Sequence, residues 1–337
     1  MRAAVLTDER PRLEMAEVPT PVPGPGEALL RITGCGICGS DLHLASQLAA
    51  PGAVLGHEIA GVVAGVGAGV DAARWPDGTP VVARPFGGCG SCAYCRSGRA
   101  DHCAQFQLIG LERPGGFAEF VTVRGDELFK LPGTIGADEQ PLVEPLAVVR
   151  RAFRRGQVTA ADRVAVLGAG PIGLAAVAWA VAIGVEVVVV SEPSALRRDL
   201  ALGLGATAVF DPTSVPVAAG IAEATGGGPS VIFECSGRPG LIEQAIEIAA
   251  IEGRIVVVGI CPQNDEIFPF WALSKELDLR FAIYYGREDF IDTLDALDSH
   301  RLDARSMVTE IITLEELPDR FARLEREPDA GKVIVRP

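Results

Sequence analysis

The run Val164-Ala165-Val166-Leu167-Gly168-Ala169-Gly170-Pro171-Ile172-Gly173 decides the fold. An apolar strand-length segment ends in G-x-G-x-x-G, and an apolar segment of helical length follows. That context is what a dinucleotide-binding turn requires. Gly168 makes the tight turn, Gly170 lets a pyrophosphate approach the backbone and the helix N-terminus, and Gly173 allows close helix–sheet packing. Pro171 and Ile172 lie inside the same cofactor-binding turn. Hydropathy alone would flag the uncharged stretch Val164 to Val185 as a membrane span, but Gly168, Gly170, Pro171 and Gly173 break it into strand, turn and buried helix. At the end of the next strand, 19 residues beyond Gly173, stands Glu192. A carboxylate there can accept both ribose hydroxyls of NAD and repels a 2′-phosphate; Arg197, a candidate cofactor contact, and Arg198 are placed to soften that repulsion.

Outward from this run, the chain after about residue 150 alternates strand and helix. Strands are expected at 163–167, 186–191, 207–210, 230–235 and 254–259, with helices at 171–184, 194–203 and 239–250. Near-continuous Val and Ile strands between helices predict an α/β doubly wound parallel sheet covered on both faces. Upstream, short apolar runs (Glu27 to Thr33, Ile59 to Val66, Thr79 to Arg84, Phe117 to Val123) sit between Gly and Pro clusters, as in a small barrel or sandwich. Beyond about residue 287 the chain becomes polar and helical and closes on an apolar Lys332 to Val335. A chain of 337 residues exceeds one ordinary core, so two domains are expected.

The net charge of −14 argues against nucleic acid or an anionic membrane surface as partner. Arg2, Asp8, Glu9, Arg10 and Arg12 leave no apolar core for a secretory signal, and the expected compartment is the cytoplasm. There, eight cysteines serve metal binding better than disulfides.

Four of these cysteines, Cys89, Cys92, Cys95 and Cys103, follow C-x2-C-x2-C-x7-C spacing on a Gly-rich lobe. Four thiolates close a tetrahedral Zn2+ and leave no open position, which makes the site structural. A ferredoxin-type iron–sulfur run would place the fourth cysteine after three residues and before Pro, whereas Cys103 follows seven and precedes Ala104. Cys35, Cys235 and Cys261 read as ordinary small buried thiols.

A second constellation lies upstream: Gly36-Ile37-Cys38-Gly39-Ser40-Asp41-Leu42-His43 and Gly56-His57-Glu58. Mixed Cys, His and carboxylate ligands suit a catalytic zinc with one open position. Gly61 stands where the second histidine of the hydrolytic H-E-x-x-H arrangement would be, so that chemistry is not indicated.

Taken together, C-G-I-C-G-S-D-L-H at 35–43, G-H-E at 56–58, the four-cysteine lobe, G-G-F-A-E at 115–119, V-E-P-L-A at 143–147 and V-L-G-A-G-P-I-G at 166–173 resemble the zinc-dependent medium-chain dehydrogenases, closest to the polyol, butanediol and threonine dehydrogenase branch. The resemblance implies a GroES-like catalytic domain, residues 1–148 plus 288–337, and a Rossmann domain, 149–287, with the active site in the cleft between them. It implies two zinc ions per chain and NAD(H). Cys38, His57 and a carboxylate, Glu58 or Glu144, would hold the catalytic ion; Cys89, Cys92, Cys95 and Cys103 would hold the structural one. Asp41 would orient His57, and Ser40 and His43 would relay the substrate proton. The implied state is a homodimer or homotetramer through the edge near Phe281 to Tyr285.

The implied reaction interconverts a secondary alcohol, as a vicinal diol, cyclitol or amino alcohol, with its ketone. Two departures bear on the substrate. Only thirteen residues separate His43 from His57, which trims the loop expected over the pocket, and Tyr284-Tyr285 stands where polyol-type relatives often carry Arg-Tyr. If both tyrosines reach the pocket, they favour a compact or cyclic diol. Other classes compatible with the scaffold are a zinc lyase or hydrolase using NAD without net redox change, and a non-catalytic NAD sensor; an intact Cys38, Ser40, His43, His57 and Glu58 set argues against the sensor.

Overall fold

The computed structural model describes residues 1–327 and 330–337, which form two compact units. The first is built from Met1–Glu144 and returns at the C-terminal end of the chain. It opens with an antiparallel pair, β1 (Arg2–Leu6) and β2 (Leu13–Glu17). There follow β3 (Glu27–Gly36), α1 (Gly39–Gln47), β4 (Glu58–Val66), β5 (Pro80–Ala83), β6 (Phe86–Gly87), α2 (Ala93–Arg96), β7 (Gln107–Leu108), β8 (Phe120–Arg124) and β9 (Leu128–Lys130). All four apolar runs of the N-terminal part contribute strands. In β3, Ala28, Leu30 and Ile32 point inward while Arg31 is exposed, the period-two pattern of a half-buried strand. Its last residues, Gly34-Cys35-Gly36, run beside Glu58 at the start of β4, so α1 leaves one strand end and His57 enters the other.

The second unit, Pro145–Met307 with Ala330 and Gly331, carries the parallel sheet. Its elements are α3 (Val143–Gly156, whose first two residues belong to the first unit), β10 (Arg163–Leu167), α4 (Pro171–Ala182), β11 (Val187–Ser191), α5 (Ala195–Gly203), β12 (Ala208–Phe210), α6 (Val217–Thr225), β13 (Val231–Glu234), α7 (Leu241–Ile248), β14 (Arg254–Val257), α8 (Pro269–Ser274), β15 (Asp278–Phe281) and α9 (Arg287–Asp298). The six strands are all parallel in the order β12-β11-β10-β13-β14-β15, a doubly wound sheet whose order reverses between β10 and β13. The stretch that mimicked a membrane span is β10, a turn and the buried α4, and among the described residues no helix is long and apolar enough to cross a membrane.

The units divide at 144/145 and 307/308, where the sequence reading put boundaries at 148/149 and 287/288. The later boundary follows from α9, whose polar composition hides its attachments. Arg150 pairs with Asp292 at 2.9 Å, and Arg154 pairs with Glu288 and Asp289 at 2.8 Å each. Tyr285 stacks on Phe290 with ring centroids 5.8 Å apart.

The chain then re-enters the first unit through β16 (Val308–Thr313), α10 (Leu317–Arg326) and β17 (Lys332–Arg336). β17 lies parallel to β16 and antiparallel to β3, completing a seven-stranded sheet.

Candidate functional site

Cys38, His57 and Glu58 offer Sγ, an imidazole nitrogen and a carboxylate oxygen within 4.8 Å of one another. The turn from β3 into α1 places Cys38, and the turn into β4 places the other two. Asp41 in the first turn of α1 ties these turns together. It is fully buried; its Oδ2 accepts the Cys38 amide at 3.0 Å, and its Oδ1 accepts the Gly56 amide at 3.3 Å. Oδ1 also lies 3.1 Å from His57 Nδ1, which leaves Nε2 to face the cluster, with Ser40 Oγ at 3.3 Å from it. Burial alone would lower the His57 pKa, but the Asp41 charge and hydrogen bond and the nearby Cys38 raise it well above the ordinary value. His43, one turn beyond Ser40 on α1, is exposed.

The sequence reading missed Lys332. Its Nζ donates to both Glu58 oxygens, at 2.6 and 2.8 Å, and to the Ile37 carbonyl at 3.0 Å. Lys332 is 1% and Glu58 0% exposed. Burial by itself would discharge Lys332, yet the charges of Glu58, Cys38 and Glu144 outweigh it and raise its pKa. Glu144, buried at the start of α3, contributes to that field but does not join the three-residue cluster. Space for the Glu58 carboxylate depends on Gly36: a Cβ there would lie 1.8 Å from Glu58 Oε2. A lysine opening an otherwise apolar strand, Lys332-Val333-Ile334-Val335, was the available signal, since an isolated cation in such a run needs a buried partner.

Cys89, Cys92, Cys95 and Cys103 form the other group within 4.8 Å, and none is in a disulfide. Cys89 Sγ lies 4.0 Å from Cys95 Sγ, and Cys92 Sγ lies 3.8 Å from Cys103 Sγ. A tetrahedron with metal–sulfur arms of ~2.3 Å has edges of about 3.8 Å, so these two separations are close to the edges a single Zn2+ needs. Amides of Cys92, Cys95 and Cys89 donate to Cys89, Cys92 and Cys103 sulfurs at 3.3, 3.4 and 3.3 Å. Such donation favours thiolate. The Ser91 hydroxyl and amides lower Cys89 to about 6, while burial and the neighbouring thiols push Cys95 up to about 11.

In the second unit, the fingerprint turn has the geometry its glycines imply. Gly168 has φ +90°, and a Cβ on Gly173 would lie 1.9 Å from the Gly168 carbonyl. At Gly170 only Arg197 Nη1 comes within reach, at 4.0 Å, which leaves the backbone open in front of the α4 N-terminus where Pro171, Ile172 and Gly173 begin the helix. Glu192, 4% exposed, accepts the Ala169 amide of this turn at 2.7 Å and the Ser194 amide at 2.8 Å. Arg198 donates to the Glu192 and Pro193 carbonyls at 2.8 and 2.7 Å and lies 3.4 Å from Asp211, which ties it to its own strand end. A further element at this turn escaped the sequence reading. The loop after β13 places Ser236 where a Cβ on Gly168 would meet it at 3.0 Å, and Glu234 holds that loop by accepting the Ser236 and Gly237 amides at 2.8 Å each.

Tyr285 does not serve as a substrate contact: it is fully buried against Phe290. Tyr285 therefore presents neither ring face nor hydroxyl to a cyclic diol. Of the three remaining cysteines expected to be buried, only Cys35 is; Cys235 and Cys261 are partly exposed, because they stand in the loops after β13 and β14, and desolvation pushes the pKa of the Cys35 and Cys235 thiols up.

Residues 24–133 match the Alcohol dehydrogenase GroES-like domain, and residues 171–299 match the Zinc-binding dehydrogenase family. The chain is 35% identical over 318 residues to the 2-dehydro-3-deoxy-L-galactonate 5-dehydrogenase of Pseudoalteromonas atlantica, covering 93% of this chain and 92% of that protein. It is 34% identical over 341 residues to the (R,R)-butanediol dehydrogenase of Bacillus subtilis, covering 96% of each. Among solved structures, an alcohol dehydrogenase from Escherichia coli CFT073 in complex with NADH superposes with TM-score 0.92 at 27% identity, over 100% of this chain and 99% of that one.

Proposed function

This chain belongs to the zinc-binding alcohol dehydrogenases with a GroES-like and a Rossmann domain, and from that premise we propose how its own residues carry the reaction. The enzyme interconverts a secondary alcohol and its ketone: the carbon-bound hydrogen leaves as hydride to a nicotinamide dinucleotide, and the hydroxyl proton leaves to solvent. The proposal fixes the cofactor as NAD, the metal content as two Zn2+ per chain and the substrate as a vicinal diol, cyclitol or amino alcohol.

The observation that carries the reading is the Cys38–His57–Glu58 cluster with Asp41 behind His57. A thiolate, a steered imidazole nitrogen and a carboxylate are a donor set that fits zinc. Zinc bound there supplies the electrophile that makes an alcohol hydroxyl acidic near neutral pH. Cys38 and His57 act as ligands. Asp41 keeps His57 Nε2 toward the cluster. Glu58, whose two oxygens Lys332 holds, is one candidate carboxylate ligand and Glu144 the alternative. Ser40, beside His57, takes the hydroxyl proton, and exposed His43 passes it to water. In the second unit the α4 N-terminus binds the pyrophosphate, with Arg197 beside it, and Glu192 disfavours a 2′-phosphate. The exposed apolar row of Leu279 and Phe281 on edge strand β15 and Ile283 just after it pairs with a second copy, giving a homodimer or homotetramer.

The test is NADH formation from purified enzyme with 2,3-diols, inositols, amino alcohols, sorbitol and ethanol, alongside metal analysis. Higher kcat/KM for diols or cyclitols than for ethanol, lost in Cys38→Ala, is expected. Preference for simple primary alcohols would remove the diol reading, and turnover without change in nicotinamide redox state would remove the dehydrogenase itself.

A further inference from the structure

We propose that the second unit carries an oxyanion-binding pocket, distinct from the dinucleotide turn, formed by Arg151, Arg154 and Arg155 at the end of α3 and Arg280 on β15, and that its ligand is inorganic phosphate or a small phosphomonoester. The pocket has a volume of about 330 Å3 and is lined by these four arginines and Gln157, with no carboxylate in the lining. Gathering four guanidinium groups costs mutual repulsion, and the chain as a whole is acidic, with net charge −14.

Helix geometry accounts for part of the cluster. Residues 151, 154 and 155 are spaced i, i+3, i+4 and share one face of α3, where its C-terminal dipole favours cations. The open carbonyls there are already served, because Arg280 donates to the Arg155 carbonyl at 2.7 Å and Arg254 to the Gly156 and Gln157 carbonyls at 2.9 and 2.7 Å. The facing acids fix two of the four heads. Asp278 holds Arg280 at 2.6 Å, and Glu288 and Asp289 hold Arg154 at 2.8 Å each, with Arg151 in the field of the same two carboxylates. Among the described residues, the exposed Arg155 guanidinium has neither ion pair nor hydrogen bond. Immobilised donors next to an unspent one are a preorganised receptor for a compact anion, since guanidinium forks match phosphate oxygens in pairs.

The location separates this pocket from the cofactor. Arg254, the first residue of β14, reaches the end of α3, so the pocket lies toward the amino edge of the parallel sheet. The fingerprint turn follows the carboxyl end of β10, at the opposite edge. A compact dianion responds mainly to charges within a Debye length of ~8 Å at physiological salt, whereas a polyanion would also meet the acidic surface beyond it.

The test uses the enzyme saturated with NAD, so that its own phosphate-binding turn is filled, at constant ionic strength set with sodium chloride. Calorimetric titration with inorganic phosphate and, separately, glycerol phosphate is expected to give one site per chain at millimolar affinity or better. Arg151→Ala/Arg155→Ala should weaken it at least tenfold, and Arg155→Lys, which keeps the charge but loses the fork, should fall between. Tighter binding of phosphate or of glycerol phosphate assigns the free or the esterified ligand. Unchanged affinity in the double variant, or no binding above the chloride control, overturns the proposal.

Discussion

Replacing Lys332 with Met removes a cation from a fully buried contact while keeping much of its stem volume. Glu58 is then left with two oxygens that had been held at 2.6 and 2.8 Å and that no water reaches. Removing one partner of such a pair typically costs ~3–5 kcal/mol, because the survivor is a desolvated, uncompensated charge. The Ile37 carbonyl also loses its donor, adding about 1 kcal/mol. For a folding unit of this size each kcal/mol lowers Tm by ~2–4 °C, so Lys332→Met should melt on the order of 10 °C below the wild type. Calorimetric melts of the metal-free proteins isolate the pair from ligand effects. The decisive comparison is the double variant Lys332→Met/Glu58→Gln. It leaves no buried charge behind and should recover more than half of the loss, a coupling above ~1.5 kcal/mol in the double-mutant cycle. If Lys332→Met costs less than ~1 kcal/mol, or the double variant is no more stable than the single, the pair does not carry the charge balance argued for it.

The remaining predictions address metal, cofactor and pH. Elemental analysis should find two zinc per chain; Cys38→Ala should lose one and stay folded, whereas Cys95→Ala should lose the other with a clear drop in Tm, and iron with visible charge-transfer absorption would refute the assignment. Glu192→Ser should narrow the NAD over NADP preference in kcat/KM by roughly tenfold to a hundredfold, the worth of ~1–3 kcal/mol of charge repulsion; wild-type turnover as fast with NADP would show that Arg197 governs the choice. Asp162 accepts from Thr159 at 2.8 Å and Ser230 at 2.7 Å and pairs with Arg254. Burial would raise its pKa, but the Thr159 and Ser230 hydrogen bonds and Arg254 outweigh it and hold it below the ordinary value. A depressed carboxyl stabilises the fold above its unfolded pKa of ~3.9 and loses that contribution as pH falls below it. Urea unfolding should therefore show Asp162→Asn less stable than wild type by ~1–3 kcal/mol at pH 7, with the gap shrinking below about pH 4; an equal gap at pH 3 would contradict this.

What the sequence made legible is set by how local its constraints are. The fingerprint turn could be read because its glycines answer to contacts within a few residues: Gly173 must clear the Gly168 carbonyl, and both lie in one turn. The four-cysteine lobe is likewise local, and so are the strands and helices around Val164 and Val187. Long-range partners left weaker marks. Lys332 looked like the first residue of an apolar strand because its meaning resides in Glu58, at the other end of the chain. Tyr285 and the apolar side of α9 are polar or ambiguous in the sequence, and only the stacking on Phe290 and the Arg150 and Arg154 ion pairs assign that helix to the second unit. Glu58 and Glu144 could not be ranked as ligands, since rank depends on the position of a lysine that neither neighbours in sequence.

The partner of Glu58 arrives 274 residues after it. At translation rates of ~5–20 residues per second, roughly 15–55 s pass between the two, and throughout that interval the edge of β3 that β17 will cover stays open. The inserted parallel sheet is synthesised entirely within this window, so it can fold before its host is complete. Cys89 to Cys103, by contrast, emerge together and can close on a metal at once. Ribosome-stalled chains ending before Lys332 should accordingly be able to hold zinc on the four-cysteine lobe while the Glu58 carboxylate still lacks its buried cation. If each cluster takes a zinc, as proposed, chain connectivity would let the four-cysteine lobe close on its ion before the Cys38 and His57 surroundings are complete.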